Sequence, residues 1–211
     1  PQTDTDGVDI FVKYEDAYAD GIMAVGVEAA YVIDYSVAAY SKGEVLMNQL
    51  GAIMGDSLRN VGMRKYFEDW SFKHPKPNDF IRSAEKVSGL ELDWYLLDWA
   101  QSTMTIDYSV NSLYGIDNKT RIVLKRIGQM GMPIDLRIKL KSGETLDYNI
   151  PMTKMRGSKP LQSSTLLKSW SWAKPYYEVW LDINSKNISK ITIDPKNEMA
   201  DINRNNNYLV F

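Results

Sequence analysis

The chain has no cysteine and a single histidine, His74, among its 211 residues. The first absence excludes disulfides, thiolate metal sites and cysteine nucleophiles, and it leaves the redox compartment open. The second excludes a histidine-rich zinc site built from this sequence, because such a site takes about three protein ligands. No apolar run reaches the ~20 residues of a bilayer crossing, so no membrane span is expected. Neither sign of charge dominates: 25 basic and 27 acidic residues leave a formal net charge of −2, without the basic footprint of a nucleic-acid binder, and no nucleic-acid partner is expected. No signal peptide is visible and the first residue is Pro1 rather than methionine, which makes a missing upstream segment the expectation. The compartment stays open, with periplasm or secretion preferred over cytoplasm.

What is present is ordinary for a soluble globular protein: 44% hydrophobic and 25% charged residues, in a chain long enough to bury a core. Charge is uneven, however. Residues 1–40 hold eight acids (Asp4, Asp6, Asp9, Glu15, Asp16, Asp20, Glu28, Asp34) and one base, Lys13. A solvated lead-in accounts for this run, and lining a site for a cationic peptide N-terminus is the sharper alternative.

The pattern changes near residue 105. Before it the period is helical. Leu46, Met47, Leu50, Ile53, Met54 and Leu58 make one broad apolar face, in a helix read from Glu44 to Met54. Met63, Tyr66, Phe67 and Trp70 follow the i, i+3, i+4, i+7 spacing, as do Leu92, Tyr95, Leu96 and Trp99. Between them Phe80, Ile81, Ala84 and Val87 continue the theme, with Asn78 as a cap and Ser88-Gly89 as a stop. Short helices joined by tight turns favour antiparallel neighbours. After residue 105 the period becomes two. Strands are expected over Ile106–Val110, Arg121–Arg126, Ile134–Leu140, Thr145–Ile150, Tyr177–Ile183 and Ile188–Ile193, with Lys141-Ser142-Gly143-Glu144 as a hairpin turn and Asn184–Asn187 separating the last pair. Six or seven short strands in about 100 residues are the mark of a β-sandwich. Residues 151–175 give no clear pattern. The expected fold is therefore α+β and multidomain: short antiparallel helices over 1–104, then an immunoglobulin-like antiparallel β-sandwich over 105–211.

One segment carries chemistry. Asp34-Tyr35-Ser36-Val37-Ala38-Ala39-Tyr40-Ser41-Lys42-Gly43 runs into the first amphipathic helix. A phenol fixed at a helix start can donate a hydrogen bond to a developing oxyanion, but on spacing alone a half-buried tyrosine packed on the helical core explains Tyr40 more cheaply. The ordered set of motifs goes further. Tyr40-Ser41-Lys42-Gly43-Glu44-Val45-Leu46 is followed by Trp70-Ser71-Phe72-Lys73-His74-Pro75, Asp79-Phe80, Glu85-Lys86-Val87-Ser88-Gly89, Leu92-Asp93-Trp94 and Trp99, and then by Gly131-Met132-Pro133 opening a strand. Taken in this order, residues from about 30 to 211 resemble the C-terminal part of the gluzincin zinc aminopeptidases of the aminopeptidase N type.

The resemblance implies a parent enzyme that uses zinc to remove N-terminal residues from peptide substrates. It matches Tyr40 to the tyrosine that steadies the tetrahedral intermediate, and Tyr35 to a second active-site tyrosine of some members. It also implies a missing N-terminal catalytic region, because no H-E-x-x-H occurs and the zinc ligands and general base have no counterpart in this sequence. The chain alone is expected to hold no catalytic zinc and to hydrolyse no peptide. A second reading, of another class, is a non-catalytic peptidase-like scaffold or protein-binding module. A third is an unrelated carbohydrate- or protein-binding sandwich, which leaves the motifs from Tyr40 to Trp99 unexplained.

Other candidates yield to plainer readings. His74 suits a structural hydrogen bond in a turn, and Glu85, Glu91 and Asp93 suit a solvated helix surface. Asp4, Asp6, Gly7 and Asp9 hint at a calcium loop, but counting from Gln2 the required twelfth-position glutamate is Lys13. Asn118-Lys119-Thr120 and Asn187-Ile188-Ser189 match the glycosylation sequon. Of the six tryptophans most stand at core spacing, whereas Trp170 and Trp172 lie in the polar stretch as candidates for an interdomain contact.

Overall fold

The structure, a computed structural model, describes residues 40–211. Tyr35, the acidic lead-in and the failed calcium loop lie outside the described residues. The chain divides into two compact units between Met104 and Thr105.

The described part of the first unit is helical: α1 (Lys42–Met54), α2 (Asp56–Trp70), α3 (Pro77–Ser88) and α4 (Asp93–Ala100). A single residue, Gly55, joins α1 to α2, and its N–H donates to Gly51 O (2.8 Å). Proline opens α3 at its first position, where a missing N–H costs nothing, and the Asp79 carboxylate accepts the Lys76 N–H (2.8 Å). Asn78 is therefore inside the helix and Lys76 is the cap, a correction to the reading of Asn78: the proline fixes the start two residues earlier. Gly89 ends α3 with φ +72°, a left-handed conformation that costs glycine little, at the stop expected from Ser88-Gly89. The Glu85 carboxylate then accepts the Leu92 N–H (2.7 Å) and fixes the turn into α4, a structural use for a side chain read as solvated surface.

Val45, Leu50, Ile53, Met54, Ile81, Ala84, Leu92, Tyr95 and Trp99 form the buried core of these helices. Helix α2 departs from its periodicity. Only Gly62 is buried, close against Ala84 of α3, while Phe67 of the expected apolar face is 73% exposed and Tyr66 meets Phe80 edge to face (5.4 Å). The spacing made a helix, but of that face Met63 and Phe67 are exposed and Tyr66 and Trp70 half-buried.

The second unit holds eight strands in two sheets. Strands β1 (Tyr108–Ile116), β2 (Lys119–Arg126) and β6 (Tyr176–Leu181) form one sheet in the order β1-β2-β6. Strands β3 (Ile134–Leu140), β4 (Thr145–Ile150), β5 (Thr165–Leu166), β7 (Ile188–Ile193) and β8 (Tyr208–Val210) form the other, in the order β5-β4-β3-β7-β8. All pairs are antiparallel except β4–β5, so the second sheet is mixed rather than wholly antiparallel. The expected last pair is also corrected: the strands either side of Asn184–Asn187 do not pair with each other, β6 joining β2 and β7 joining β3.

Register follows burial. Leu136 stands between Tyr148 and Ile193, and Ile138 between Leu146 and Ile191, so one face of β3 is apolar along its length. Ile122, Leu124 and Val179, with Val110 and Leu181, are among the buried residues of the other sheet. Each such aliphatic side chain contributes roughly 1.5–3 kcal/mol on burial, and a one-residue slip would turn the whole set outward. Tyr108, Met130, Met132 and Trp170 complete the core. Trp170 packs on Tyr108 (5.4 Å, edge to face) and Tyr177 (5.2 Å), so the reading of Trp170 as an interdomain marker is corrected: its ring is taken up inside its own unit. Trp172 is exposed, with the Lys154 ammonium 4.7 Å above its ring. Among the described residues, no helix is long and apolar enough to cross a membrane.

Candidate functional site

The first turn of α1 gathers the residues that the motif placed together. Tyr40 precedes the helix with 70% of its surface exposed, so its side chain is not part of the apolar core. Lys42, two residues on, is turned inward. Its main-chain carbonyl accepts the Trp99 indole N–H (3.3 Å), and its ammonium lies 5.7 Å above the same ring. Burial lowers the Lys42 pKa, since the charged form loses water that the indole face only partly replaces.

Helix α4 supplies the rest of the clamp. The Tyr95 hydroxyl donates to Leu46 O (2.8 Å), one turn along α1. Tyr95 stacks on Trp99 (6.3 Å) and meets Trp94 edge on (5.6 Å). Carbonyls in the first turns of a helix already accept main-chain N–H groups four residues on; here two aromatic donors, 49 and 57 residues away, bind the Leu46 and Lys42 carbonyls in addition. Periodicity in the sequence had marked Tyr95 and Trp99 as apolar-face residues, but it could not show that their polar atoms reach back to α1. Lys42 was likewise visible only as part of a motif.

His74 is exposed in the turn between α2 and α3. Phe72 in the same turn has φ +60° and is fully exposed, an uncommon backbone conformation for a bulky aromatic residue. Among the described residues no group of three or more histidine, cysteine, aspartate or glutamate side chains could hold a metal ion. These residues do not fit a zinc site.

The second unit has its own buried polar cluster. Asp201, fully buried, accepts the N–H groups of Tyr108 and Asn203 (both 2.8 Å). Asp107 beside it accepts the Asn206 side-chain amide (2.9 Å). Burial pushes the Asp201 carboxyl up to about 6, opposed by the hydrogen bonds it accepts and reinforced by the nearby Asp107 charge. The Tyr108 hydroxyl accepts the Met132 N–H (2.8 Å) and donates to Met132 O (3.2 Å), and burial pushes that phenol up. The cluster ties the chain's last segment to β1, and its groups are all engaged with one another.

No protein-family model matches the chain, and no curated protein does. Solved structures do resemble it. One is aminopeptidase A of Legionella pneumophila, determined in complex with aspartic acid, with a TM-score of 0.54 over 79% of this chain at 15% identity. The fold is aminopeptidase-like. At that identity the likeness concerns fold alone, and this chain spans 18% of the aminopeptidase's length.

Proposed function

We propose that the chain is the C-terminal part of a zinc aminopeptidase of the aminopeptidase N type, whose missing N-terminal region holds the metal and the general base. In this reading Tyr40 is an oxyanion-stabilising group for peptide substrates, with Tyr35 beside it in the motif as a second active-site tyrosine. The two sheets of the second unit are the layers of an immunoglobulin-like β-sandwich.

The observation that carries the reading is the division of labour at the start of α1. Lys42 is spent on Trp99, while Tyr40 stands 70% exposed at the end of the turn that this contact fixes. Zinc in such an enzyme would supply an activated water. What this chain adds is a proton held on a phenol. As the attacked carbonyl oxygen gains charge, the phenol O–H donates a hydrogen bond to it, and a donor placed before the reaction loses little to reorganisation. A single donor of this kind contributes on the order of 10²–10³ in kcat.

The test uses the full-length gene product, with zinc measured by elemental analysis and turnover measured on a panel of aminoacyl-arylamides. The Tyr40→Phe variant is expected to keep its zinc and lose roughly 10²–10³ in kcat. Zinc with undiminished turnover in that variant would remove Tyr40 from the mechanism. Absence of both zinc and turnover in the parent would replace the enzyme reading with the non-catalytic scaffold. The 211-residue chain by itself is expected to show no chelator-sensitive hydrolysis.

A further inference from the structure

Two sheets have four edges, and in this unit three of them are blunted. Strand β5 is two residues long and β8 three. Strand β1 is nine residues long, but its outer side is occupied. The Tyr108 N–H goes to the Asp201 carboxylate (2.8 Å), the Ile202 N–H goes to Ile106 O just ahead of the strand (3.0 Å), and a bulge breaks the ladder between Val110 and Ser112. Short edges, bulges and covering segments are the devices by which sheets avoid pairing with other chains.

Among the described residues the fourth edge has none of them. Strand β6, Tyr176-Tyr177-Glu178-Val179-Trp180-Leu181, runs six residues without proline, glycine, lysine or a bulge. The Arg126 N–H donates to Pro175 O (2.8 Å), which sets the alternation of the ladder. Tyr177, Val179 and Leu181 turn their main-chain groups toward β2, and Tyr176, Glu178 and Trp180 turn theirs away from the sheet. Of the outward three, Tyr176 is 49% and Trp180 53% exposed. The strand thus offers alternate unpaired amides and carbonyls with large rings beside them, the arrangement that strand addition uses.

We propose that the free edge of β6 is a strand-addition site for an extended segment of another polypeptide that alternates apolar with basic residues. The chemistry of the two rows sets the occupant. Tyr177, Val179 and Leu181 form the inner row and call for apolar neighbours. Tyr176, Glu178, Trp180 and then Asp182 form the outer row, where each carboxylate alternates with a ring. Glu178 already meets Arg121 of β2, and Asp182 meets Lys119 (2.8 Å), so a basic residue on the added strand would complete a row of alternating charge. A second copy of this chain fits less well. Antiparallel self-pairing that sets Tyr176 opposite Trp180 puts Glu178 opposite its own copy, which is destabilising. The registers on either side set Trp180 opposite Lys174 or Tyr176 opposite Asp182 and shorten the overlap.

Amide hydrogen exchange on the folded 211-residue chain, read by NMR, tests the site. The probe is an end-blocked peptide alternating valine with lysine, compared with one alternating valine with glutamate. Alone, the chain is expected to exchange the amides of Tyr176, Glu178 and Trp180 at least ~10-fold faster than those of Tyr177, Val179 and Leu181. The valine-lysine peptide is expected to slow the first three by ~10-fold or more, and the valine-glutamate peptide to leave them unchanged. Glu178→Pro removes an outward N–H that β2 does not use and is expected to abolish the protection. Glu178→Ala keeps that N–H and is expected to weaken protection without abolishing it. A valine-lysine peptide N-methylated at alternate residues is expected to give none, an arm that leaves the protein untouched. Three outcomes overturn the proposal: protection of the three amides without peptide, whether fixed or rising with chain concentration; equal protection by both peptides; or protection that survives N-methylation.

Discussion

Asp201 gives the sharpest handle on the second unit. Its carboxyl is fully buried and titrates at about 6 in the folded chain against an ordinary value of 3.8. A folded pKa above the unfolded one means that the native state holds the proton more tightly. The group's contribution to stability is therefore fully present below pH ~4, falls as pH rises toward ~6, and is lost above it. Two pH units correspond to about 3 kcal/mol. The perturbation is Asp201→Asn, which keeps the shape and removes the titration. The assay is urea unfolding of both proteins between pH 4 and 8, followed by tryptophan fluorescence, with Trp170 reporting from the core of this unit. Subtracting the variant from the parent cancels the other titrating groups. The difference is expected to favour the parent progressively as pH falls, by about 2.5 kcal/mol between pH 8 and pH 4, at unchanged denaturant slope. A difference that is flat, or that grows with rising pH, would refute the reasoning. It would mean that the two accepted N–H groups outweigh desolvation and that the carboxylate is the favoured buried form.

Gly128→Ala should damage the same unit by a different route. An added Cβ would come within 2.6 Å of the Asp107 N and 3.0 Å of the Ile106 carbonyl carbon, both main-chain atoms with nowhere to yield. A loss of about 2–3 kcal/mol is expected, seen as a Tm lowered by roughly 10 °C in a thermal melt; an unchanged Tm would contradict the close approach. Tyr108→Phe leaves the Met132 N–H and C=O buried without the hydroxyl that serves both. It should cost about 1–3 kcal/mol in urea unfolding, with the fold retained by circular dichroism.

Much of the element order was legible because it is local. Strands β3, β4 and β7 match their expected limits, since strict alternation ends at turn residues in each case. The α3 stop at Gly89 was equally clear. The errors have physical causes of two kinds. Asn78 lost its place as cap to a proline effect one residue earlier. The other misreadings are long-range. Nothing in Tyr177–Ile183 and Ile188–Ile193 says that the two strands belong to different sheets, because each is satisfied by a partner far away in sequence. The stretch 151–175 gave no pattern because its order comes from single anchors rather than periodicity. Trp170 sits in the core, its indole N–H donating to Lys174 O (2.8 Å), and Arg126 donates to Gln129 O (2.6 Å) and Trp172 O (2.5 Å). At the candidate site the motif located Tyr40. The Lys42–Trp99 contact two residues on depends on a pairing across 57 residues.

The polar ties that fasten the last segment to β1 also set an order of events during synthesis. A chain leaves the ribosome N-terminus first. The β1–β2 hairpin, joined by Asp117-Asn118, and the β3–β4 hairpin can form as soon as each is outside. The Tyr108 N–H must wait for Asp201, 93 residues later, and Asp107 must wait for Asn206, 99 residues later. At ~5–20 residues per second that interval is about 5–20 s. For that time the unit lacks the segment that covers the start of β1, and the second sheet lacks β8.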